Sequence, residues 1–419
     1  MRILLVGSGG REHAMSRALT TSPGVELLIA PGNPGTAALG SNRSVDADDI
    51  PRLVALARAE SVDLVVPGPE GPLVAGLSDA LEAAGIPCAG PGRSAARLEG
   101  SKAFTRALAE SAGVPSPAHQ TVSSVGEIDA ALARFEVPPV VKADGLAAGK
   151  GVFLPDTIEE CRATARDLLG GRLGTAGSTI VLEERLSGVE ISAFHACRGT
   201  EAIALPHARD HKRLLDGDRG PNTGGMGAVS PNPHAAGFDA TVLNDFVLPS
   251  LRRLSDDGTP FNGFLFSGLI VTDGGPRLLE FNVRLGDPEA QAILPHLPDG
   301  VFSEICAWVA GLRGRPPRFE PDRRATCAVV LAAAGYPEAP RRGDPITIDP
   351  GIETADRWLI HAATRMDAGT LVTDGGRVGA VVGRGDTAAA ARAVAYEGVT
   401  RVQWEGMVHR RDIGAAADG

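Results

Sequence analysis

Short apolar segments alternate with amphipathic segments over the first hundred residues, and this order constrains the fold more than any other feature of the sequence. Residues 2–6, 25–30 and 63–66 have the length and composition of buried strands, whereas residues 51–59 and 73–84 have helical periodicity. Strands that alternate with helices in this way form parallel βαβ units. We therefore predict an α/β fold (α+β in parts) that begins with a doubly wound parallel sheet.

Three loops rich in glycine and proline follow these strands at their carboxyl ends. Open parallel sheets bind ligands at this edge, so residues 7–12, 31–35 and 67–70 are predicted to form one site. The first loop does not fit a dinucleotide fingerprint, because Glu12 stands where the third glycine belongs and no acid follows the second strand. It can still hold a phosphate at the start of a helix, or it can be a tight turn without a ligand.

A glycine-rich loop lies between two strand-like segments in the middle of the chain. Residues 144–151 are not a Walker A loop, since the glycines are too close together and Gly151 stands where serine or threonine belongs. Such a loop between two strands is typical of a flexible flap over phosphates, and an ordinary hairpin is the alternative. Lys142 lies on the preceding strand, at the end nearer the loop.

Residues 279–284 are predicted to form a strand with one polar face. Glu280, Asn282 and Arg284 share that face, since side chains alternate along a strand. A carboxylate and an amide oxygen side by side are hard ligands suited to Mg²⁺, and the guanidinium can bind a phosphoryl group or a carboxylate. The alternative is an amphipathic edge strand, but the polar loop at 286–289 favours a functional site.

Two further polar segments are candidates for binding. An apolar strand at 181–186 runs into paired acids, with Glu190 close behind. This segment can offer backbone groups to an adenine edge and a carboxylate to a ribose, although surface glutamates are commoner. Residues 210–212 and 222–227 are polar and free of core residues, so these loops either bind a ligand or are disordered.

Composition excludes several classes of protein. With 41 cationic and 51 anionic side chains the net charge is −10, which disfavours a large surface for nucleic acid or anionic membranes. The five cysteines are scattered without C-x-x-C spacing, so neither a disulfide framework nor a zinc ribbon is predicted. No apolar run has the length of a membrane span and the N-terminus lacks a signal peptide, so we expect a cytoplasmic protein.

Taken together, these motifs resemble the ATP-grasp superfamily and, within it, the phosphoribosylamine–glycine ligases, also called glycinamide ribonucleotide synthetases. The match runs nearly end to end through GSGGREHA, APGNPGT, GPEGPLVAG, LEGSKAFT, VVKADGLAAGKGV, DHKR, GPNTGGMGA, EFNVRLGDPEAQ and HRRDIG. Above all GPNTGGMGA and the EFN-x-R-x-GDPE run are specific to this family within the superfamily.

The resemblance implies three domains. These are an N-terminal Rossmann-like substrate domain at 1–100, an ATP-grasp domain at 101–315 with a small flap subdomain at about 118–188, and a small β-rich domain at 316–419. A Gly-Arg-Pro-Pro run at 314–317 is a plausible place for the last boundary.

The resemblance also implies a two-step reaction of de novo purine biosynthesis. ATP phosphorylates the glycine carboxylate to glycyl phosphate, and the amine of 5-phosphoribosylamine then displaces phosphate to form glycinamide ribonucleotide. Neither step needs a protein nucleophile, so the site has to position substrates and neutralise phosphoryl charge. The implied cofactors are ATP as substrate and Mg²⁺ or Mn²⁺. We expect no nucleic-acid or membrane partner, and a monomer.

Site residues follow from the matching motifs, position by position. Lys102 and Lys142 would hold the ATP phosphates, and Gly149, Lys150 and Gly151 would form the flap. The adenine and ribose pocket would consist of Glu183, Glu184, Leu186 and Glu190. Glu280 and Asn282 would bind the metal, and Arg284, Lys212 and Asp210 would be catalytic. The substrates phosphoribosylamine and glycine would lie among Gly9, Gly10, Arg11, Asn33, Pro69, Glu70, Asn222, Gly286 and Asp287.

The sequence departs from the family pattern at two places. Many ATP-grasp enzymes have a further acidic metal ligand on the preceding strand, but residues 264–271 contain none, which leaves the number of metal ions open. Val283 and Leu285 replace the cysteine and phenylalanine often found there, and both changes are apolar. The alternatives to this family are another ATP-grasp carboxylate–amine or carboxylate–thiol ligase, and a nucleotide-binding sensor that has lost catalysis.

Lysine is rare in this sequence, and its positions support the same site. Only Lys102, Lys142, Lys150 and Lys212 occur among the 41 cationic side chains, and each lies in one of the implied functional segments. A GC-rich coding bias explains the rarity of lysine. The positions that remain fit the fact that arginine is a poor substitute for a compact ammonium group on a phosphate oxygen.

Overall fold

The computed structural model describes residues 1–147 and 150–415. The N-terminal elements are β1 (Arg2–Gly7), α1 (Gly10–Thr20), β2 (Glu26–Pro31), β3 (Ser41–Asn42), α2 (Ile50–Ala59), β4 (Leu64–Pro67), α3 (Glu70–Ala75), α4 (Leu77–Ala83) and α5 (Arg93–Gly100). The four strands form a parallel sheet in the order β3-β2-β1-β4.

Both faces of this sheet are covered, as predicted for a doubly wound fold. Alternate residues of β1 point to opposite sides, so that Ile3 and Leu5 pack with α1 whereas Leu4 and Val6 pack with α2 and α4. The parallel register places Gly7 of β1 beside the last residue of β2, and the neighbouring Val6 beside the last residue of β4. The loops after all three strands therefore start at one edge.

A small subdomain with its own core follows. After α6 (Lys102–Ala112), it contains β5 (His119–Val122), α7 (Ile128–Leu132), β6 (Val140–Ala143), β7 (Val152–Phe153), α8 (Ile158–Asp167) and β8 (Ile180–Glu183). Its strands form a four-stranded sheet in the order β5-β8-β6-β7. The two helices α7 and α8 bury one face of that sheet in a separate apolar cluster.

The centre of the molecule is an eight-stranded sheet that continues into the C-terminal segment. Its central elements are β9 (Val189–Arg198), β10 (Glu201–Asp210), β11 (Arg213–Leu215), β12 (Arg219–Asn222), β13 (Gly227–Ser230), α9 (Asp239–Thr241), α10 (Leu248–Asp256), β14 (Asn262–Thr272), β15 (Gly275–Asn282), α11 (Glu289–Ile293) and α12 (Val301–Val309). The C-terminal elements are β16 (Ala325–Ala332), β17 (Thr347–Ile348), β18 (Arg357–His361), β19 (Thr364–Asp367), β20 (Thr370–Thr373), β21 (Arg377–Gly385), α13 (Ala388–Val399) and β22 (Val402–Gln403). The strand order is β15-β14-β9-β10-β13-β16-β21-β18. Strands from both sides of the predicted boundary at 315 thus share one sheet.

Short helical turns of the 3₁₀ type and two π-helical segments complete the chain. The 3₁₀ turns are Thr36–Ala38, Val125–Glu127, Gly174–Gly177, Pro233–Ala235, Leu294–His296 and Pro350–Ile352, and the π-helical segments are Leu168–Arg172 and Val242–Val247. In the described part of the chain, none of the helices combines the length and the apolar character that crossing a membrane requires. All five cysteines are free thiols, in agreement with the sequence-based expectation.

Several predicted elements differ in detail from the structure. The single helix predicted at 73–84 is two helices, because Gly76 adopts φ +98° between α3 and α4. Strand β10 was not predicted, and the polar stretch after it contains the short β11–β12 hairpin.

Candidate active site

A large cleft of about 830 Å³ lies between the small subdomain, the eight-stranded sheet and the N-terminal loops. Most of the residues predicted for the site line it: Arg11, Glu70, Lys142, Glu183, Glu184, Leu186, Glu190, Asp210, Lys212, Asn222, Glu280, Asn282, Arg284 and Asp287. An adjoining pocket adds Lys102 and Gly151. The sequence-based set therefore converges on one place, although the contacts give several members different roles.

The metal candidates lie at the end of β15. Glu280 pairs across the sheet with Gly268, where a side chain would crowd the carboxylate, since a Cβ there would lie 3.1 Å from Glu280 Cγ. Burial opposes ionisation of this group, but the ammonium groups of Lys212, Lys142 and Lys102 hold the pKa of Glu280 below its usual range. Asn282 donates from Nδ2 to the Phe281 carbonyl (3.0 Å), which leaves its oxygen available. An ionised carboxylate and an amide oxygen among three cations fit a Mg²⁺ ion that also binds phosphates.

Glu183 binds Lys142 rather than facing a nucleotide with its side chain. Its carboxylate accepts hydrogen bonds from Arg106 Nε (2.8 Å) and Nη2 (2.9 Å), and it lies 2.6 Å from Lys142 Nζ. Glu183 is only 1% exposed. Burial would raise the pKa of this carboxyl, but Lys142 and Arg106 lower it to about 2. The side chain of Glu183 thus positions Lys142, its backbone is free to face a base, and its place in the adenine pocket stays a prediction.

The loop predicted to be a flap precedes β7. Strands β6 and β7 pair as a hairpin in which Lys142 lies opposite Val152, and Gly151 and Val152 line the pocket beneath. Lys150 is exposed on this loop. Gly149, the remaining residue predicted for the flap, lies outside the described residues.

The start of the loop is attached to α6, which carries Lys102. Asp144 Oδ1 accepts the Ala103 N–H (2.7 Å), and the Ser101 hydroxyl donates to the same carboxylate (3.0 Å). Burial lowers the pKa of Lys102, and Glu280 offsets part of this effect. Lys102 is thus held at the N-terminus of a capped helix and faces the metal candidates.

The far end of the cleft carries the residues predicted for the adenine and ribose. Glu184 accepts the Ala118 N–H (3.2 Å), and Leu186 lines the cleft. Glu190, predicted to hold a ribose, is instead ion-paired with Lys212 at 2.8 Å. Burial opposes the charge of Lys212, but Glu190, Glu280 and Asp210 raise its pKa above the usual value. A ribose hydroxyl would therefore meet a carboxylate that already has a cationic partner.

Arg284 lies between two carboxylates that come from the N-terminal elements. Its Nε is 3.2 Å from Glu70, and its Nη2 donates to Glu99 Oε1 (2.8 Å). Glu99 also accepts the Val283 N–H (2.8 Å), and burial raises the pKa of Glu99 to about 7. Glu70 was predicted, whereas Glu99 was missed although it lies in the LEGSKAF motif.

Two buried carboxyls, Asp210 and Glu289, lie close to each other. Asp210 Oδ1 is buried and has no hydrogen-bond partner among the described residues. Burial and the neighbouring Glu289 raise the pKa of Asp210 well above its usual range, and burial also raises the pKa of Glu289. Gly225 packs directly on this pair, since a Cβ there would lie 2.7 Å from Asp210 Oδ1. The sequence indicated Asp210 but not Glu289.

Asp287 is ion-paired with a residue of the C-terminal segment. Arg377 Nη2 lies 3.4 Å from its carboxylate, and Nη1 donates to the Asp287 carbonyl (2.6 Å) and to the Gly224 carbonyl (2.5 Å). Gln291 donates to Asp287 Oδ1 (2.9 Å). Asp287 thus has a structural role in addition to the substrate contact predicted for it. Arg377 was missed, because nothing in its local sequence distinguishes it from the other arginines.

Asn33 shapes the N-terminal edge instead of presenting its side chain to a ligand. Its amide donates to the carbonyls of Ser8 (2.8 Å) and His361 (3.2 Å). Its oxygen accepts the N–H groups of Gly35 (2.8 Å) and Thr36 (3.0 Å). The side chain is buried and holds two loops together through these bonds, and the contact of Asn33 with substrate stays a prediction.

The first glycine turn is also partly occupied by protein groups. The Gly9 N–H donates to Glu12 Oε2 (2.6 Å), so the backbone group expected to face a phosphate already has an anion. Arg11 Nε lies 2.6 Å from the same carboxylate, and its Nη1 donates to the Leu285 carbonyl (3.2 Å). A Cβ on Gly10 would lie 2.6 Å from Gln291 Nε2, so this glycine allows α1 to pack on α11.

The remaining predicted substrate residues lie around the same cleft. Pro69 and Glu70 begin α3 beside the first turn, and Asn222 is an exposed residue at the end of β12. Gly286 lies against the carboxylate of Glu289, which a Cβ would approach to 2.3 Å. A glycine is thus needed at position 286, because a side chain there would collide with the carboxylate of Glu289.

Comparisons with known proteins agree with the arrangement of the structural elements. Sequence models of phosphoribosylglycinamide synthetase match in three parts: the N domain at residues 1–99, the ATP-grasp (A) domain at 100–290 and the C domain at 326–416. A phosphoribosylamine--glycine ligase of Ralstonia nicotianae is 44% identical over 100% of this chain and 99% of its own length. Another, of Phenylobacterium zucineum, is 45% identical over the whole of both chains.

Solved structures give the same result. A phosphoribosylamine--glycine ligase of Thermotoga maritima superposes with a TM-score of 0.85 at 34% identity, over 99% of this chain and 100% of that one. The biotin carboxylase domain of the Hydrogenobacter thermophilus 2-oxoglutarate carboxylase, solved with MgADP, has a TM-score of 0.75 at 15% identity over 97% of this chain and 91% of its own. At that identity the second likeness concerns the fold alone.

Proposed function

The chain belongs to the phosphoribosylglycinamide synthetase family, and from this premise we propose how its cleft joins glycine to 5-phosphoribosylamine. The family assignment makes it an ATP-dependent ligase of purine biosynthesis with an ATP-grasp domain. In the first step a glycine carboxylate oxygen attacks the γ-phosphorus of ATP and ADP leaves. In the second, the amine of phosphoribosylamine attacks the acyl carbon, phosphate leaves, the amine loses a proton and glycinamide ribonucleotide forms.

The observation that carries this proposal is the set of charges around Glu280. One ionised carboxylate lies beside an amide oxygen, with Lys102, Lys142 and Lys212 facing it from three different segments. Such a site suits the phosphates of a nucleotide with its metal ion better than it suits a neutral ligand. Glu280 and Asn282 would hold Mg²⁺, or Mn²⁺, which supplies charge neutralisation on the phosphates. The lysines would bind phosphate oxygens, and the β6–β7 loop would exclude water.

Arg284 is the residue we assign to the reacting carboxylate and γ-phosphate. Its guanidinium is held on two sides, by Glu70 and Glu99, so its orientation is fixed before substrate binds. A planar fork with unused N–H groups can bind a carboxylate or a phosphoryl group in the same orientation. Preorganised charge of this kind stabilises a transition state without reorganisation.

Asp210 and Glu289 are the groups we assign to the amino end of glycine. Two carboxyls with raised pKa values share a buried place in the free protein, and one Asp210 oxygen lacks a partner among the described residues. An ammonium group bound between them would relieve their repulsion and complete their hydrogen bonds. When the amine of phosphoribosylamine is acylated, the same carboxyls can take up the proton that this amine loses.

The rest of the cleft is assigned to the other substrate and to the nucleotide base. Backbone and side-chain groups of Gly10, Arg11, Pro69, Asn222 and Gly286 would surround phosphoribosylamine, with Asp287 held ready by Arg377. Glu184, Leu186 and the backbone of Glu183 would face the adenine. We further propose domain boundaries near 100 and 315, a monomer, and a cytoplasmic location.

Substrate dependence of ADP release tests the proposed function. Purified protein with ATP and Mg²⁺ should release ADP only when glycine is present, and steady turnover should also need phosphoribosylamine generated in the assay. Other single amino acids serve as controls and should give no turnover. ADP release that does not need glycine would favour another ATP-grasp ligase, and binding of ATP without turnover would favour a sensor.

A further inference from the structure

The HRRDIG motif at residues 409–414 takes no part in the proposed reaction, yet it contains one of the most buried cations of the protein. The side chain of Arg410 is 1% exposed. Its Nε and Nη2 bind the two oxygens of Asp412 (2.7 and 2.6 Å), and Nη1 donates to Asp218 Oδ1 (2.6 Å) and to the Arg213 carbonyl (3.1 Å). The guanidinium thus joins the C-terminal segment to residues 213–222, which we name the active-site hairpin.

Backbone groups strengthen the same junction. The Gly217 N–H donates to Asp412 Oδ2 (2.8 Å), and the Arg411 N–H donates to Asp216 Oδ1 (2.8 Å). The C-terminal segment is itself fixed by Tyr396, whose hydroxyl donates to the Arg410 carbonyl (2.8 Å). The two segments lie almost two hundred residues apart in sequence, and each donates hydrogen bonds to the other.

The active-site hairpin has little else to hold it in place. Most of its residues are exposed, and among the described strands β11 and β12 pair only with each other. An isolated two-stranded hairpin is marginally stable in water. Its base is nevertheless part of the cleft: Asn222 lines it, and Lys212, which directly precedes β11, accepts the Thr223 N–H at its carbonyl (2.8 Å).

We propose that Arg410 and Asp412 are positioning residues, which clamp the active-site hairpin so that Lys212 and Asn222 stay at the substrates. The effect on turnover rests on the proposed function, whereas the clamp itself does not. The competing view is that the motif only stabilises the C-terminal segment and leaves the cleft unaffected.

Asp218→Asn is the main test, because it removes one charge from the hairpin side. Asp218 has φ +51°, a conformation that asparagine also tolerates, and its side chain is about half exposed, so the variant should fold. Asp412→Asn removes a charge from the C-terminal side of the same junction. The matched control is Asp349→Asn, since Asp349 is another C-terminal aspartate that pairs with an arginine, Arg401 (3.3 Å), and caps a backbone N–H (Gly351, 2.7 Å).

Trypsin measures the clamp without any assay of activity. Cleavage after Arg213 and Arg219, identified by mass spectrometry, should be about tenfold faster in Asp218→Asn and Asp412→Asn than in wild type and Asp349→Asn. Melting temperatures of Asp218→Asn and the control should remain close to wild type. Equal cleavage in Asp218→Asn and wild type would overturn the proposal.

A double-mutant cycle tests the link to Lys212. We expect Asp218→Asn to lower kcat/KM for glycine by about tenfold in the wild-type background and to have no further effect in Lys212→Met. Fully additive losses would show that the hairpin does not act through Lys212 and would overturn the positioning role. If the wild-type protein shows no glycine-dependent ADP release, the proposed function fails, and the trypsin comparison still decides whether the clamp exists.

Discussion

Three of the four lysines face one carboxylate. Lys102 begins α6, Lys142 lies on β6 and Lys212 follows β10, yet all three act on the charge of Glu280. In a chain that uses arginine for most of its positive charge, this distribution matches the need for compact ammonium groups at phosphate oxygens. Lys150, the fourth, is exposed on the loop above them.

Replacing Lys142 by arginine should therefore impair ATP use. Lys142 shares Glu183 with Arg106, and both oxygens of that buried carboxylate already bind Arg106. A second planar guanidinium has no room to form its own pair there, so we expect kcat/KM for ATP to fall by at least about tenfold. Arg166 is exposed on α8 of the same subdomain, so Arg166→Lys is the control for replacing one cationic side chain by another. Wild-type kinetics in Lys142→Arg would contradict a phosphate-binding role.

Removing the carboxylate of Glu280 should abolish turnover but not all nucleotide binding. In Glu280→Ala the proposed metal site would lose its charged protein ligand, while the lysines would still attract phosphates and the far end of the cleft would be unchanged. Calorimetry should show weakened ATP binding and little effect of Mg²⁺ on it. Glu201→Ala, an exposed position at the start of β10, should behave as wild type. A folded Glu280→Ala protein with near-normal activity would show that the metal assignment is wrong.

Neutralising Asp210 should stabilise the free protein while slowing catalysis. Because burial and Glu289 raise its folded-state pKa, the folded protein retains a proton that the unfolded chain releases from about pH 4 upward, and stability falls as pH rises through the folded pKa. In Asp210→Asn this loss is absent. We expect its melting temperature to exceed wild type at about pH 8 and the difference to shrink toward about pH 4. A constant difference across this range would argue against a raised pKa.

The candidate site was predictable where chemistry is carried by local patterns. The alternation of Glu280, Asn282 and Arg284 predicted a shared face, and all three line the cleft although β15 ends at Asn282 and Arg284 follows it. The structure brings the predicted polar loops to the same cleft. Glu99, Arg106 and Arg377 were missed because their partners lie far away in sequence. The partner of Glu99, for example, is Arg284, which is 185 residues away. Which arginine becomes buried depends on tertiary pairing, and no local pattern encodes it.

At the scale of elements, the N-terminus of α6 connects the glycine loop to Lys102. The Asp144 carboxylate accepts the Ala103 N–H and the Ser101 hydroxyl proton, so it caps α6 from the first residue of the glycine loop. Anionic groups at a helix N-terminus are stabilising. The start of the glycine loop and the start of the helix that carries Lys102 are therefore held together by Asp144.

Asp144→Ala should uncouple the loop from α6. Loss of a cap typically costs about 1 kcal/mol, and we expect urea unfolding to show a decrease of that size. The Michaelis constant for ATP should rise, because Lys102 is no longer fixed at the start of its helix. Thr157→Ala removes the comparable cap of α8 and is the control: it should lose similar stability without the change in ATP affinity. An unchanged Michaelis constant in Asp144→Ala would refute the link.

Predicted elements failed where backbone conformation or bulges override periodicity. A hydrophobic pattern continues across 73–84, but the positive φ of Gly76 divides the helix, and only the packing of α3 and α4 selects that conformation. Strand β10 contains a register shift between Leu205 and Ala208, so its side chains do not alternate regularly.

At the scale of the whole molecule, the units that pack together do not coincide with the domains predicted from the sequence. The C-terminal strands β16, β21 and β18 extend the central sheet through β13, so hydrogen bonds and a shared core cross the predicted boundary at 315. The small subdomain, in contrast, has its own sheet and apolar cluster. Cooperative units follow such packing rather than position along the chain.

Hydrogen exchange should reveal this division. In the free protein, amides of β5–β8 should exchange through openings of lower free energy than those of β9, β14, β16 and β21, and the last four should share one value. If ATP with Mg²⁺ binds across the cleft between the two units, as proposed, a hundredfold excess over Kd adds about 2.7 kcal/mol to any opening that releases it. Protection of β6 and β8 should therefore rise with ATP toward that of the large sheet, and Glu280→Ala, which weakens binding, should lose the effect. Equal protection of both sheets in the free protein would show that the subdomain does not open on its own.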